Sequence, residues 1–179
     1  MTAIDRPRRS ALYMPASNLR ALEKAKALQA DMLIFDLEDA VAPDAKSAAR
    51  DAAVAAVNSG SYGQRELMIR VNGLDTPWGT DDLKVVAQTK AHGVVVPKVS
   101  SVQDLADVDA ILTRAGAAED FPVWAMMETP RGVLSADAIM KSSTRLAGVC
   151  VGTAVCVCAC VRLCACVCAC VCVCLSVCL

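Results

Sequence analysis

The chain has 179 residues, which is enough for one domain with a sizeable core and too few for two domains of ordinary size. Because 18 Lys and Arg nearly balance 19 Asp and Glu, no strong field favours nucleic acid or a membrane, and neither is expected as a partner. No apolar run follows the charged N-terminus to form the core of a signal peptide, so we expect a cytoplasmic protein, with the mitochondrial matrix as the lesser option.

Cysteine is distributed very unevenly along the chain. All 11 cysteines lie between Cys150 and Cys178. The cysteine-free part has the composition of a soluble enzyme, whereas the last residues alternate Val or Ala with Cys and carry a single charge, Arg162. We therefore divide the chain into a folded domain, residues 1–153, and a low-complexity tail, residues 154–179.

Apolar runs of strand length alternate with segments of helical period throughout the domain. In chain order, the predicted strands are residues 10–14, 32–37, 67–71, 94–96, 123–127 and 146–151. The predicted helices are one capped by Ser17, an Ala-rich one over 44–57, one from Thr80, one that begins at the capping-box pair Ser101 and Asp104 and ends at Gly116, and a short one over 133–141. Strands that alternate with helices are typical of a parallel sheet, and we predict an α/β fold, an incomplete TIM-type (βα) barrel with about six of the eight units of a closed barrel.

Polar side chains recur where the predicted strands end. In a βα barrel these positions share one rim, where active sites are built. We therefore expect the strand-end residues to converge there: Asp36, Glu38, Asp39, Arg70, Asn72, Lys98 and Glu128.

Asp36, Glu38 and Asp39 place three carboxylates within four residues where a buried strand emerges. This arrangement is costly unless a cation or hydrogen-bond donors neutralise the charges, so a metal ion or an arginine is implied. The alternative is that these are solvated loop acids, which explains Asp36 least well because it is still within the strand.

Arg70 lies at the end of an otherwise apolar strand. A guanidinium in that position is able to clamp a substrate carboxylate through two parallel hydrogen bonds. The alternative is a structural ion pair with the acids at 36–39, and the two roles are compatible.

Glu128 presents a single carboxylate at the end of the fifth strand. Hard oxygen ligands of this kind suit Mg²⁺, which favours one or two carboxylates with water and substrate.

Lys98 is either an anion-binding residue or a solvated lysine. The only histidine, His92, is interpreted as a residue at a helix C-terminus and is given no catalytic role.

Five segments in order resemble the signature motifs of the citrate lyase β-subunit-like (HpcH/HpaI aldolase/citrate lyase) family. They begin at Arg9 (RSALYMPA), Asp36 (DLEDAV), Arg70 (RVNGLDTPWG), Val96 (VPKV) and Glu128 (ETPRGV). Each motif alone is a weak signal, but five in order at strand ends are specific.

This resemblance implies a homo-oligomeric TIM barrel, a trimer or hexamer, that binds Mg²⁺. It also implies retro-Claisen cleavage of a 3-hydroxy acyl-CoA such as citryl-, citramalyl- or malyl-CoA. On the family pattern, Arg70 binds the substrate carboxylate and Glu128 is a metal ligand that also contacts substrate. Glu38 and Asp39 complete the catalytic set with Arg70, lining the metal and its waters.

The family pattern stops after the sixth strand. Family members continue with Gly-Thr-Asn-Asp-Leu, whose aspartate is a second metal ligand, whereas this chain has Gly152-Thr153-Ala154-Val155-Cys156. The last two βα units are not found either. We therefore expect a truncated chain with little or no activity, and an inactive fragment is the rival hypothesis.

The tail has the pattern that a GT dinucleotide repeat encodes, because GTG specifies Val and TGT specifies Cys. We interpret it as a low-complexity product of a truncated or mis-joined gene model. The alternatives are a soft-metal site that makes this a cysteine-rich metal-binding protein, and a membrane span, which Arg162 disfavours. Extended Val–Cys runs with two apolar faces favour aggregation.

Overall fold

The computed structural model describes residues 8–152, in which strands and helices alternate. The strands are parallel and follow the order of the sequence across one sheet: β1 (Ala11–Pro15), β2 (Met32–Asp36), β3 (Glu66–Arg70), β4 (Gly93–Val96), β5 (Val123–Met127) and β6 (Leu146–Val151). The helices are α1 (Leu19–Ala25), α2 (Lys46–Asn58), α3 (Gly79–Val86), α4 (Val102–Arg114), α5 (Pro130–Leu134) and α6 (Ala136–Met140), with a 3-10 turn at Pro43–Ala45. The predicted α/β class with six parallel strands is confirmed.

The chain divides into two compact units between Val95 and Val96. In the first unit, every residue of β2 and β3 is buried, as expected for parallel strands covered on both faces. Their register pairs Asp36 with Arg70 at the C-terminal ends of the two strands. This pairing places an acid and a base side by side at the edge of the sheet.

In the second unit, β5 and β6 pair with a register irregularity between Val123 and Trp124. A Cβ atom at Gly148 would lie 2.7 Å from the Trp124 ring, so glycine is required where the indole packs across β6. Helix α4 begins with the predicted capping box, since Ser101 and Asp104 bond to each other's backbone N–H groups. The predicted bounds of β5 and β6 are confirmed.

Two predicted helix boundaries are wrong. Helix α1 is capped by Asn18 rather than Ser17, and the Asn18 side chain accepts the Ala21 N–H at 3.0 Å. The helix predicted over residues 133–141 is two short helices that meet at Ser135, because Thr129 caps an earlier start at Pro130.

The interpretation of His92 as a helix-end residue is also wrong. Helix α3 ends at Val86, and His92 directly precedes β4. Its Nδ1 atom accepts the Leu67 N–H at 2.9 Å, while its own N–H donates to the Leu67 carbonyl at 2.8 Å. His92 therefore extends the pairing of β3 and β4.

No helix within residues 8–152 is long and apolar enough to cross a bilayer. The predicted boundary at residue 153, Val155 and the cysteine-rich tail lie outside the described residues.

Candidate functional site

The acids that follow β2 surround the guanidinium at the end of β3. Arg70 donates from Nε to Asp36 Oδ1 at 2.7 Å and from Nη2 to Asp36 Oδ2 at 2.6 Å, which is a bidentate pair. Its Nη1 lies 2.8 Å from Glu38 Oε2 and 3.6 Å from Asp39 Oδ2. The structure therefore brings together four of the predicted site residues. Arg70 is a cation that neutralises the acids, as the sequence required.

Burial separates these acids into two kinds. Asp36 is 1% exposed and Glu38 is 5% exposed, so neither is a solvated loop acid. The Asp39 side chain is 69% exposed. Burial acts to lower the pKa of Arg70, but its hydrogen bonds and charge interactions with Asp36 and Glu38 outweigh that effect and raise it, so the guanidinium stays cationic.

The Asp36 carboxylate also shapes the loop that carries the other acids. Its Oδ1 accepts the Glu38 N–H at 2.8 Å and its Oδ2 accepts the Ala40 N–H at 3.1 Å. Because one side chain binds both the guanidinium and the loop backbone, it fixes the position of Glu38 relative to Arg70.

Lys46, at the start of α2, is a site residue that the sequence analysis missed. Its Nζ donates to the carbonyls of Leu37 at 2.8 Å and Glu38 at 2.6 Å, and it lies 5.5 Å from the centre of the Trp78 ring. Burial lowers the pKa of Lys46, although the nearby carboxylates, Asp36 first, act against that change. A signal was present, since Lys46 falls on the apolar stripe of α2 with Ala49, Ala53 and Val57.

A second missed residue, Asp82 in the first turn of α3, holds the loop after β3. Its Oδ2 accepts from the backbone N–H of Asn72 at 3.0 Å and from Asn72 Nδ2 at 2.7 Å, while its Oδ1 accepts from Arg50 Nε at 2.6 Å. A Cβ at Gly79 would lie 2.3 Å from the Gly73 carbonyl oxygen, so this loop packs directly on the helix. In the sequence, Asp82 has an ordinary explanation as an acid at the positive end of a predicted helix, so its position did not indicate these contacts.

We expect Asp82→Ala to lower the free energy of unfolding by about 3 kcal/mol, because a 1%-exposed carboxylate with charged and amide partners is lost. The matched control is Asp81→Ala, since Asp81 is exposed on the same helix and pairs with Lys84 at the surface. That change should cost at most about 0.5 kcal/mol. Urea unfolding of both variants measures the difference, and equal losses would contradict the role of Asp82.

Tyr13, in β1, contributes an aromatic face to the first unit's site. The Arg70 Cζ atom lies 5.1 Å from the centre of the Tyr13 ring, and Tyr13 is 37% exposed. A ring at this distance stabilises a cation through its negative face and restricts the plane of the guanidinium. Tyr13 lies in β1 and Arg70 in β3, so the spacing of residues in the sequence could not identify this contact.

Glu128 follows β5 in the second unit and is held by the neighbouring loop. Its Oε1 accepts the backbone N–H of Lys98 at 2.8 Å. A Cβ at Gly152 would lie 2.6 Å from Glu128 Cβ and 3.2 Å from Oε2, so glycine leaves room for this carboxylate. The second unit thus brings Glu128 and Lys98 together, while the convergence of Glu128 with Arg70 stays a prediction.

The donor chemistry at Glu128 fits one ligand of a Mg²⁺ ion. A carboxylate has about four lone-pair positions, so accepting the Lys98 N–H is compatible with metal binding, and Mg²⁺ needs only one or two protein carboxylates. Within residues 8–152, no group of three or more His, Cys, Asp or Glu is arranged around a metal position.

Comparisons with known proteins give a consistent result. The model of the HpcH/HpaI aldolase/citrate lyase family matches residues 9–157. A (3S)-malyl-CoA thioesterase of Cereibacter sphaeroides is 48% identical over 147 residues, with 82% of this chain and 49% of the relative covered. An L-malyl-CoA/β-methylmalyl-CoA lyase of the same species is 37% identical over 156 residues, with coverage of 83% and 49%. The chain thus spans about half the length of the curated relatives it matches.

Among solved structures, the citrate lyase β subunit of M. tuberculosis complexed with oxaloacetate and magnesium is similar, with a TM-score of 0.62 and 30% identity. The match covers 79% of this chain and 58% of that one. This likeness confirms the predicted partial barrel-type fold. With the five motifs in place at their strand ends and the family model matched over most of the chain, the chain belongs to the HpcH/HpaI aldolase/citrate lyase family.

Proposed function

We propose that this chain carries part of the active site of a Mg²⁺-dependent carbon–carbon lyase that acts on a malyl-CoA-type 3-hydroxy acyl-CoA. The observation that carries the proposal is the Arg70 guanidinium, whose plane Asp36 fixes by two hydrogen bonds at the C-terminal ends of β2 and β3. Parallel α/β folds bind their ligands at these strand ends.

Three carboxylates and two cations make up the charge of the first unit's site. Asp36, Glu38 and Asp39 surround Arg70, while Lys46 binds the carbonyls of the acid loop, so one net negative charge remains. A substrate carboxylate adds a further negative charge. A bound Mg²⁺ would offset this negative charge when an anionic acyl-CoA binds.

The residues have separate roles in the proposed reaction. Arg70 binds and orients the substrate carboxylate, and its fixed plane lowers the entropy lost on binding. Glu128 is the proposed metal ligand and contacts substrate, while Glu38 and Asp39 line the metal and its waters. When bound, Mg²⁺ supplies Lewis-acid stabilisation of the negative charge that develops on oxygen.

Thioester hydrolysis is the second candidate, because the malyl-CoA thioesterase is 48% identical to this chain and the lyase 37%. The two reactions differ in the bond that breaks. Lyase chemistry converts malyl-CoA to acetyl-CoA and glyoxylate, whereas hydrolysis consumes one water and gives malate and free CoA. We also propose that the whole protein binds an acyl-CoA, assembles as a trimer or hexamer and is located in the cytoplasm.

The products distinguish these reactions. Lyase activity would give acetyl-CoA and a 2-oxo acid from malyl-, citramalyl- or citryl-CoA with excess Mg²⁺, and EDTA would abolish it, whereas the truncation predicts little or no turnover of any of the three. Products should be measured by liquid chromatography and mass spectrometry, because the 11 cysteines interfere with thiol reagents. Free CoA without acetyl-CoA would support the thioesterase, and no product from any substrate would support the inactive fragment.

A further inference from the structure

Two loops of the second unit contact each other beside Glu128. The first, residues 97–101, follows β4, and the second, residues 128–132, follows β5 and includes the first turn of α5. A Cβ at Gly132 would lie 2.3 Å from the Val99 carbonyl oxygen, so the two backbones touch directly and position 132 requires glycine. Movement of either loop would therefore displace the other.

Lys98 adopts a strained backbone conformation in the first loop. Its φ of 53° is the only positive value at a non-glycine residue within the described part of the chain. Such a conformation costs energy and persists only where the surroundings hold it. Here the Lys98 N–H donates to Glu128 Oε1 at 2.8 Å, and its carbonyl accepts from Ser100 Oγ at 2.9 Å.

The two hydroxyls between the loops have a defined direction of hydrogen bonding. Each hydroxyl has one proton. Ser100 gives its proton to the Lys98 carbonyl, so at the 2.7 Å contact between Ser100 Oγ and Thr129 Oγ1 the threonine donates. Thr129 Oγ1 in turn accepts the Gly132 N–H at 3.0 Å.

These contacts form one directed chain, from the Gly132 amide through Thr129 and Ser100 to the Lys98 carbonyl. Successive hydrogen bonds polarise and strengthen each other. The same Lys98 residue, fixed at its carbonyl, directs its amide at Glu128.

We infer that Ser100 and Thr129 are positioning residues, which hold the Glu128 carboxylate in place by fixing the backbone of Lys98. The consequence for metal binding rests on the proposed function, because that proposal makes Glu128 a ligand. The Lys98 backbone carries this role, since the contacts use its amide and carbonyl.

The first test measures hydrogen exchange of the Lys98 amide by NMR in the full chain without metal. Thr129→Val removes the hydroxyl with little change of shape, and we expect it to speed exchange at Lys98 about tenfold. Thr129→Ser keeps the hydroxyl and should restore slow exchange. Ser142→Ala, which removes a hydroxyl bonded to the Ile139 carbonyl elsewhere in the same unit, is the control and should leave Lys98 unchanged.

The second test measures Mn²⁺ affinity by EPR, with Mn²⁺ as the probe for the Mg²⁺ site. Affinity should fall about tenfold in Thr129→Val and recover in Thr129→Ser, which a general loss of stability would not produce. If Thr129→Val does not fold, Ser100→Ala replaces it in both tests, because it breaks the same hydrogen-bond chain. Unchanged Lys98 exchange in the folded variant, or faster exchange with unchanged Mn²⁺ affinity, would overturn the inference. Slow exchange that depends on Thr129 in a chain without lyase turnover would leave the loop contact standing and refute only the proposed function.

Discussion

Arg70→Met should lower the free energy of unfolding by about 3–5 kcal/mol, because it leaves Asp36 and Glu38 buried without their cation. Methionine keeps most of the apolar volume of the side chain, so the loss reports the charge and the hydrogen bonds. Urea unfolding monitored by circular dichroism measures the change.

Two further variants give this experiment its controls. Arg114→Met removes an exposed arginine at the end of α4 whose Nε donates to the Ala110 carbonyl, and it should cost at most about 0.5 kcal/mol. Arg70→Lys keeps the charge but not the planar fork, so an intermediate loss is expected. A loss under about 1 kcal/mol for Arg70→Met would show that the acids do not depend on Arg70.

The cluster of Arg70 with the acids at 36–39 could be predicted from the sequence, because its members end two consecutive strands. Three carboxylates at a buried strand end require a cation, and the next strand along the chain ends in Arg70. Neighbouring parallel strands bring such ends together, as the register of Asp36 with Arg70 does. The sequence could not show whether an arginine or a metal ion neutralises these acids, because that depends on the directions of the side chains.

Lys46 and Asp82 escaped prediction for a different reason. Asp82 has an ordinary explanation as an acid at a positive helix end. Lys46 lies on the buried stripe of α2, but that stripe does not identify the loop carbonyls that it binds. His92 escaped in a similar way, since its partner Leu67 lies 25 residues earlier. Such long-range backbone contacts leave no periodic signal in a single sequence.

The geometry gives Arg70 a structural role, and the proposed function adds a second role to the same side chain. As a structural group, it neutralises Asp36 and Glu38 through Nε, Nη1 and Nη2. The same contacts restrict the guanidinium, and a restricted cation binds a substrate carboxylate at a smaller cost in entropy. On the proposed function, stability and substrate recognition depend on the same side chain, so the Arg70 variants are expected to lose both.

Glu128→Gln should lower Mn²⁺ affinity about 100-fold or more, since even the loss of a partner outside the ligand set costs 10- to 100-fold. The glutamine Oε1 still accepts the Lys98 N–H, so the contact between the loops survives and only the charge is removed. EPR titration measures the affinity, and exchange at the Lys98 amide confirms that the loop is intact. Glu119→Gln, at an exposed position that follows α4 in the same unit, is the matched control and should bind Mn²⁺ as the original chain does. Equal affinities in Glu128→Gln and Glu119→Gln would remove Glu128 from the proposed metal site, and with it the reason to expect Mg²⁺ at the end of β5.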